Sequence, residues 1–157
     1  MNTTPALAVT VTKVINASPD SLYALVSDVT RMGEWSPETT KAEWVGDVAT
    51  AAVGCRFKGS NAIGKVRWTT KPTVTSAISG QEFSFKVPGK SGAAWTYRFE
   101  AAEGGTLVTE SVRQDKRSPL PIRILQRRAG VTDRAAHLEA GMLTTLDRLA
   151  KTANARH

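Results

Sequence analysis

Tyr97, Glu110 and His137 of this 157-residue sequence have side chains that commonly move protons, and each lies in a segment of regular pattern. A phenol, a carboxyl group and an imidazole can act in general acid-base catalysis when they share a site. No serine, cysteine or carboxylate stands at a spacing that would place His137 in a catalytic triad, and the sequence has no Gly-rich phosphate loop, HExxH motif or GxSxG motif. We therefore assign no catalytic residue from the sequence.

Glu110 lies in TLVTESV, where two orientations of a strand are open. Either Leu107, Thr109 and Ser111 face inward, or Val108, Glu110 and Val112 do. The second orientation buries a carboxyl group between two valines, which would raise its pKa and make it an acid, a base or an anchor for a ligand. In the first, Glu110 pairs with a basic neighbour at the sheet surface. The other polar candidates for a pocket are Asn61, Arg67, Thr109 and His137.

The composition is typical of a folded protein, and the few cysteines and histidines predict neither a metal site nor a disulfide. Apolar residues make up 41% and charged residues 22%, and the net charge is +7. Cys55 is the only cysteine and the two histidines stand at no familiar ligand spacing, so we expect no metal and no cofactor. The N-terminus lacks a basic start and a long apolar run, which predicts a cytoplasmic protein. We expect one domain over residues 1–157, with disordered tails at 1–6 and 153–157.

The order of periodic segments predicts an α+β fold. A strand over residues 8–15 precedes a helix in SPDSLYALVSDV, with Ser18 as its cap and Pro19 in its first turn. Short strand patterns then follow one another up to residue 113, with turns too short for crossover helices, so the sheet is antiparallel. Pro72 requires an edge, a bulge or a break within KVRWTTKPTVTSAI. From Pro119 the period is helical, and a long amphipathic helix with a Thr132/Asp133 cap ends the chain.

Aromatic residues alternate with polar ones in two neighbouring strands, EFSFKV and AAWTYRFEA. The alternation places Phe83, Phe85, Trp95, Tyr97 and Phe99 on one face of the sheet. Leu138, Met142 and Leu146 form the apolar stripe of the long helix, which we expect to lie opposite. The stripe predicts either an ordinary core or the wall of a cavity. Ala140 and Gly141 beside Met142 favour a cavity or a close approach, because an interior helical glycine costs roughly 1 kcal/mol relative to alanine.

A set of segments in this order is similar to the START-like or SRPBCC superfamily, in particular to its bacterial polyketide cyclase/dehydrase and lipid transport members. The segments are SPDSLYALVSDVTRMGEWSPE, GCRFKGSNAIGKVRWTT, FSFKV, WTYRFE, GTLVTES and GMLTTLDRL, which together span nearly the whole chain. The resemblance implies a helix-grip fold, in which a curved antiparallel sheet of about six or seven strands wraps around the long C-terminal helix. It also implies a cavity between sheet and helix, gated by two short helices after the first strand.

On this fold we expect a ligand to contact the following residues: Met32, Trp35, Phe57, Trp68, Phe83, Phe85, Trp95, Tyr97, Glu110, Leu138 and Met142. The segment DVTRMGEWSPE holds the first two and is interpreted as the second short helix and its exit at Pro37. Met32 and Trp35 would then close the mouth of the cavity. The alternative is that they plug the end of an ordinary core.

The segment of residues 113–128 is basic, with six basic residues and one acidic residue for a net charge of +5. Together with its leucines and isoleucines, this charge favours weak contact with an anionic membrane surface. The alternative is a solvated basic face. The segment has no interleaved aromatic residues, so we expect no nucleic-acid binding.

The sequence therefore predicts a carrier or binding protein for a hydrophobic or amphipathic small molecule, lipid-like or polyketide-like. A first alternative is a cofactor-independent cyclase or dehydratase that uses Glu110, His137 or Tyr97 for proton transfer. A second alternative is an interaction module that uses the basic segment 113–128 and has a closed cavity filled by side chains. We expect a monomer or a homodimer.

Overall fold

The computed structural model describes residues 7–89, 92–115, 120–128 and 133–154. Within them the chain forms eight strands and four α-helices. The strands are β1 (Leu7–Ile15), β2 (Thr39–Trp44), β3 (Phe57–Ile63), β4 (Val66–Thr70), β5 (Thr73–Ile78), β6 (Glu82–Lys86), β7 (Ala94–Ala102) and β8 (Gly105–Gln114). The helices are α1 (Pro19–Ser27), α2 (Met32–Trp35), α3 (Leu120–Arg128) and α4 (Arg134–Asn154). A 3-10 turn at Val29–Arg31 leads into α2.

The strands form two antiparallel sheets rather than one. A five-stranded sheet has the order β1-β8-β7-β6-β5, and a three-stranded sheet has the order β2-β3-β4. The predicted run KVRWTTKPTVTSAI breaks at Pro72 into β4 and β5, because proline has no backbone N–H for a ladder. The two sheets meet there: the Phe57 N–H donates to the Pro72 carbonyl at 3.1 Å, and Arg56 bridges to Thr73. The strand count is thus slightly higher than the six or seven predicted.

The predicted helices after β1 are confirmed. Ser18 caps α1 by accepting a hydrogen bond from the Ser21 N–H at 3.1 Å, with Pro19 in the first turn as predicted. The turn at Val29–Arg31 and α2 form the second short helical piece. Gly33 lets α2 lie directly on the start of β2, since a Cβ at this position would be 2.5 Å from the Thr40 carbonyl oxygen.

Helix α4 lies on the five-stranded sheet and is tied to β1 by an ion pair between Lys13 and Asp147 at 3.1 Å. Its C-terminal half carries Leu146 and Leu149, which are completely buried in the core. The predicted disordered tail from residue 153 is partly wrong, because α4 continues to Asn154 and buries Ala153. Residues 1–6 and 155–157, the rest of the predicted tails, lie outside the described residues, as does Thr132 of the predicted cap. No helix in the described parts of the chain is long and apolar enough to cross a bilayer.

Candidate functional site

A cavity of ≈ 800 Å³ lies between the N-terminal half of α4 and the two sheets. This volume is in the range of small-molecule sites in proteins. Helix α4 contributes Leu138, Gly141, Met142 and Thr145 to its lining. Lining residues on the outer edge of the cavity, such as Gly64, Arg67 and Ile122, are exposed, so the cavity opens to solvent on that side.

The wall on the five-stranded sheet shows where the packed core ends and the cavity begins. On β7 and β8 the inward-facing pairs are, in order, Phe99 with Val108, Tyr97 with Glu110, and Trp95 with Val112. The first pair is buried in the core and the other two line the cavity. The Tyr97 and Glu110 pair therefore forms the floor of the cavity.

At this floor the Tyr97 hydroxyl donates a hydrogen bond to Glu110 Oε2 at 2.9 Å. Both side chains are buried, and Glu110 Oε1 has no hydrogen-bond partner among the described residues. Burial raises the pKa of the Glu110 carboxyl to about 8, although the hydrogen bond from Tyr97 acts in the opposite direction. Burial, together with the nearby carboxyl, also raises the pKa of Tyr97 well above its usual value. The Glu110 carboxyl is therefore mostly protonated at pH 7.

Aromatic rings form the side wall next to this pair. Phe57 and Phe85 meet edge to face with ring centroids 5.1 Å apart, and Phe85 stacks on Trp95 at 6.5 Å. Trp68 of β4 lines the cavity on the other sheet. Such rings give a ligand a large apolar contact area.

A charged cluster lies at the edge of the cavity, where α4 begins. Glu38 Oε1 accepts from Arg134 Nη1 at 2.7 Å and lies 3.1 Å from His137 Nε2. All three residues belong to the lining and their side chains are 20 to 36% exposed. The cluster fixes the start of α4 to the segment before β2.

A second polar group on the lining centres on Asn61 of β3. Its side-chain oxygen accepts from the Thr39 hydroxyl at 2.8 Å, and its amide lies 3.2 Å from both the Gly59 carbonyl and the Thr70 hydroxyl. Asn61 is thus held by neighbouring residues of the three-stranded sheet.

Comparison with known proteins matches residues 6–154 to one family model, described as polyketide cyclase / dehydrase and lipid transport. The chain belongs to this family. The comparison with curated proteins finds no match.

Solved structures show the same fold. A polyketide-cyclase-like protein from Corynebacterium glutamicum is 28% identical, with a TM-score of 0.55 over 93% of this chain and 88% of that one. The di-domain ARO/CYC protein StfQ from the steffimycin biosynthetic pathway is 16% identical, with a TM-score of 0.72; the match covers 96% of this chain and 51% of StfQ. A ginseng major latex-like protein from Panax ginseng is 13% identical, with a TM-score of 0.69 over 93% of this chain and 96% of that one. The helix-grip fold of this polyketide cyclase/dehydrase family member is thus confirmed.

Most residues predicted to contact a ligand line the cavity in this family member: Met32, Phe57, Trp68, Phe85, Trp95, Tyr97, Glu110, Leu138 and Met142. Of the polar candidates, Asn61, Arg67 and His137 also line it. Thr109 does not, because Val108, Glu110 and Val112 are the inward-facing set on β8. The alternative in which Glu110 pairs with a basic residue at the surface is therefore wrong.

Two predicted contact residues lie outside the lining. Phe83 is completely buried in the core, two residues before Phe85 on β6. Trp35 is only 2% exposed, and its ring is covered by the Arg31 guanidinium at 5.5 Å. Its position is that of a plug in the core, whereas Met32, one helical turn earlier, lines the cavity.

Sequence reasoning missed several lining residues with polar side chains, among them Glu38, Arg134 and Thr145. Glu38 and Arg134 are 96 residues apart, and no local pattern predicts their ion pair.

Gly141 has the close approach that its helical position suggested, since a Cβ there would lie 3.3 Å from Pro37 Cγ. In the described part of the chain, no group of three or more His, Cys, Asp or Glu residues could hold a metal ion.

The different positions of Trp35 and Met32 predict different effects of truncation. Trp35→Ala should lower the free energy of unfolding by about 3 to 5 kcal/mol, as for a large buried ring, with little change in the rate of ligand release. Met32→Ala should cost less stability and speed release, because it widens the cavity lining. Denaturant unfolding and stopped-flow release of an apolar ligand measure the two effects. Faster release from Trp35→Ala with little loss of stability would contradict the assignment of Trp35 to the core.

Proposed function

We propose that the protein binds a hydrophobic or amphipathic small molecule, lipid-like or polyketide-like, in the cavity, as a carrier or binding protein. The observation that carries the proposal is an open cavity of ≈ 800 Å³ whose lining surface is mainly apolar, with polar side chains between the aromatic and aliphatic ones. Burial of about 300 Å² of apolar ligand surface would contribute roughly 7 kcal/mol before the costs of association. The family's description, which includes lipid transport, supports the same proposal.

Tryptophan fluorescence tests this proposal with a control inside the chain. Trp68 and Trp95 line the cavity, whereas Trp35 and Trp44 do not. A bound aromatic or lipid-like probe should change the emission saturably, and Trp95→Phe should reduce the change while Trp44→Phe preserves it. Native mass spectrometry of the protein from its host should show a retained apolar molecule. No retained molecule and no response to any probe would contradict the proposal.

An enzyme of the cyclase or dehydratase type is the second candidate. The specific observation in its favour is the neutral Glu110 carboxyl on the cavity floor, bonded to Tyr97, which offers a proton to a bound molecule near pH 7. His137 lies apart from this pair, in the Glu38 cluster. Turnover of a bound polyketide-type substrate, lost in Glu110→Gln while binding persists, distinguishes the enzyme from the carrier. The third alternative, an interaction module with a filled cavity, does not fit the open cavity.

We also propose that α3 contacts anionic membranes while the cavity exchanges its ligand. Leu120 and Ile124 lie on one face of α3 and are 59% and 45% exposed, and the exposed Arg127 and Arg128 follow in its last turn. Ile122, on another side of the helix, lines the cavity. Apolar side chains beside basic ones are typical of helices that lie in the interface of an anionic bilayer.

Vesicle sedimentation tests this membrane contact. At low salt the protein should sediment with anionic vesicles and not with neutral ones, and Arg127→Glu/Arg128→Glu should abolish sedimentation. Lys41→Glu/Lys58→Glu, which changes two exposed lysines on β2 and β3, matches the charge change and should retain most of the binding. Absence of sedimentation of the unaltered protein, or equal loss in both variants, would contradict a role of α3.

A further inference from the structure

The one buried side-chain oxygen without a hydrogen-bond partner in the described residues is Glu110 Oε1. Buried polar atoms in native proteins are nearly always paired, so an orphan needs an explanation. Glu110 belongs to the cavity lining, and the terminal torsion of a carboxyl group is broad. Rotation about this torsion would turn the oxygen toward the cavity, where a bound molecule would be its partner.

Within the part of the chain that the structure describes, Tyr97 is the only hydrogen-bond partner of the Glu110 carboxyl group. Val11 of β1 is its neighbour on one side and Tyr97 of β7 on the other, with Val108 and Val112 two residues away on its own strand. The Tyr97 hydroxyl proton occupies Oε2. A proton on the neutral carboxyl therefore belongs on Oε1, which can donate it.

Other charged groups of the lining are engaged or exposed. Glu38, Arg134 and His137 bind one another at the start of α4, and Arg67 is exposed on β4. Burial raises the pKa of Glu110 and the Tyr97 hydrogen bond opposes this rise, and no charged neighbour from the ranges that the structure describes contributes to the shift. No cation of the described residues lies on the floor, so burying an anionic group of a ligand there would be costly.

We propose that Glu110 recognises an uncharged oxygen, a carbonyl or a hydroxyl, at the buried end of the ligand by donating a hydrogen bond to it. Tyr97 is the positioning residue that holds the other carboxyl oxygen. This inference rests on the proposed function and adds to it the chemical class of the ligand group that lies at the buried end. The apolar remainder of the ligand then lies along Phe85 and Trp95.

A matched pair of probes, 2-acetylnaphthalene and 2-ethylnaphthalene, tests this recognition by fluorescence titration. The two are similar in shape, and only the first has a carbonyl oxygen. At pH 6 the ratio of ketone affinity to hydrocarbon affinity should be roughly two- to tenfold higher in the unaltered protein than in Glu110→Met, which is the range for one neutral hydrogen bond. Comparing the ratio removes any loss that the variant imposes on both probes. Glu110→Gln, whose amide can still donate, should keep most of the ratio.

The pH dependence of ketone affinity gives a second readout, which does not require the Glu110→Met variant. Ionisation of Glu110, with its pKa of about 8, removes the donated proton, so ketone affinity should fall about tenfold between pH 6 and pH 9. In Glu110→Gln it should stay level, and because this variant keeps every other ionisable group it controls for pH effects elsewhere in the protein. Tyr97→Phe should move the fall to higher pH, because the Tyr97 hydrogen bond lowers the pKa of Glu110.

Two results overturn the inference alone: equal affinity ratios in the unaltered protein and Glu110→Met, or ketone affinity that does not change with pH while both probes bind. If Glu110→Met does not fold, the pH profiles of the unaltered protein and Glu110→Gln decide. Failure of both probes to bind at any pH contradicts the proposed function itself, and with it this inference.

Discussion

Helix α4 packs against the sheet over only part of its length, and the cavity follows from where that packing stops. Leu146 and Leu149 in its C-terminal half are completely buried in the core, whereas Leu138 and Met142 in its N-terminal half face the cavity. A helix that packed along its whole length would bury more apolar surface and gain stability. The ion pair of Glu38 with Arg134 and the contact of Glu38 with His137 fix the start of α4 to the segment before β2.

The boundary between core and cavity also explains the chemistry of Glu110. A carboxyl group two residues deeper, at the position of Val108, would be enclosed by the packed core and would not line the cavity. At the boundary it is buried enough to stay protonated near pH 7 and yet belongs to the surface that a ligand would touch. An unpaired buried polar atom lowers the stability of the ligand-free protein. Such a loss is expected at a site where a ligand supplies the missing partner.

Alternation along the strands predicted which residues face the helix, because the period of two depends only on backbone geometry. It did not predict where the core ends: Phe83 and Phe85 are the same residue type on the same face of one strand, yet only Phe85 lines the cavity. The sequence did not decide which face of β8 points inward, because each of the two alternating sets of residues contains both apolar and polar side chains. Pro72 signalled a break, but the division into two sheets depends on strand pairing over long distances. Trp35 looked like a gate in the sequence, and its burial beneath Arg31 is a tertiary contact that no local pattern reveals.

The central claim is that Glu110 is a buried neutral acid on the floor of an open cavity. The carboxyl carbon signal of Glu110, in protein labelled with ¹³C-glutamate and assigned by its loss in Glu110→Gln, measures this directly as the pH is varied. The structure predicts a titration midpoint of about 8 that rises when a ketone occupies the cavity. A midpoint near the ordinary glutamate value of 4.5, unaffected by the ketone, would contradict it.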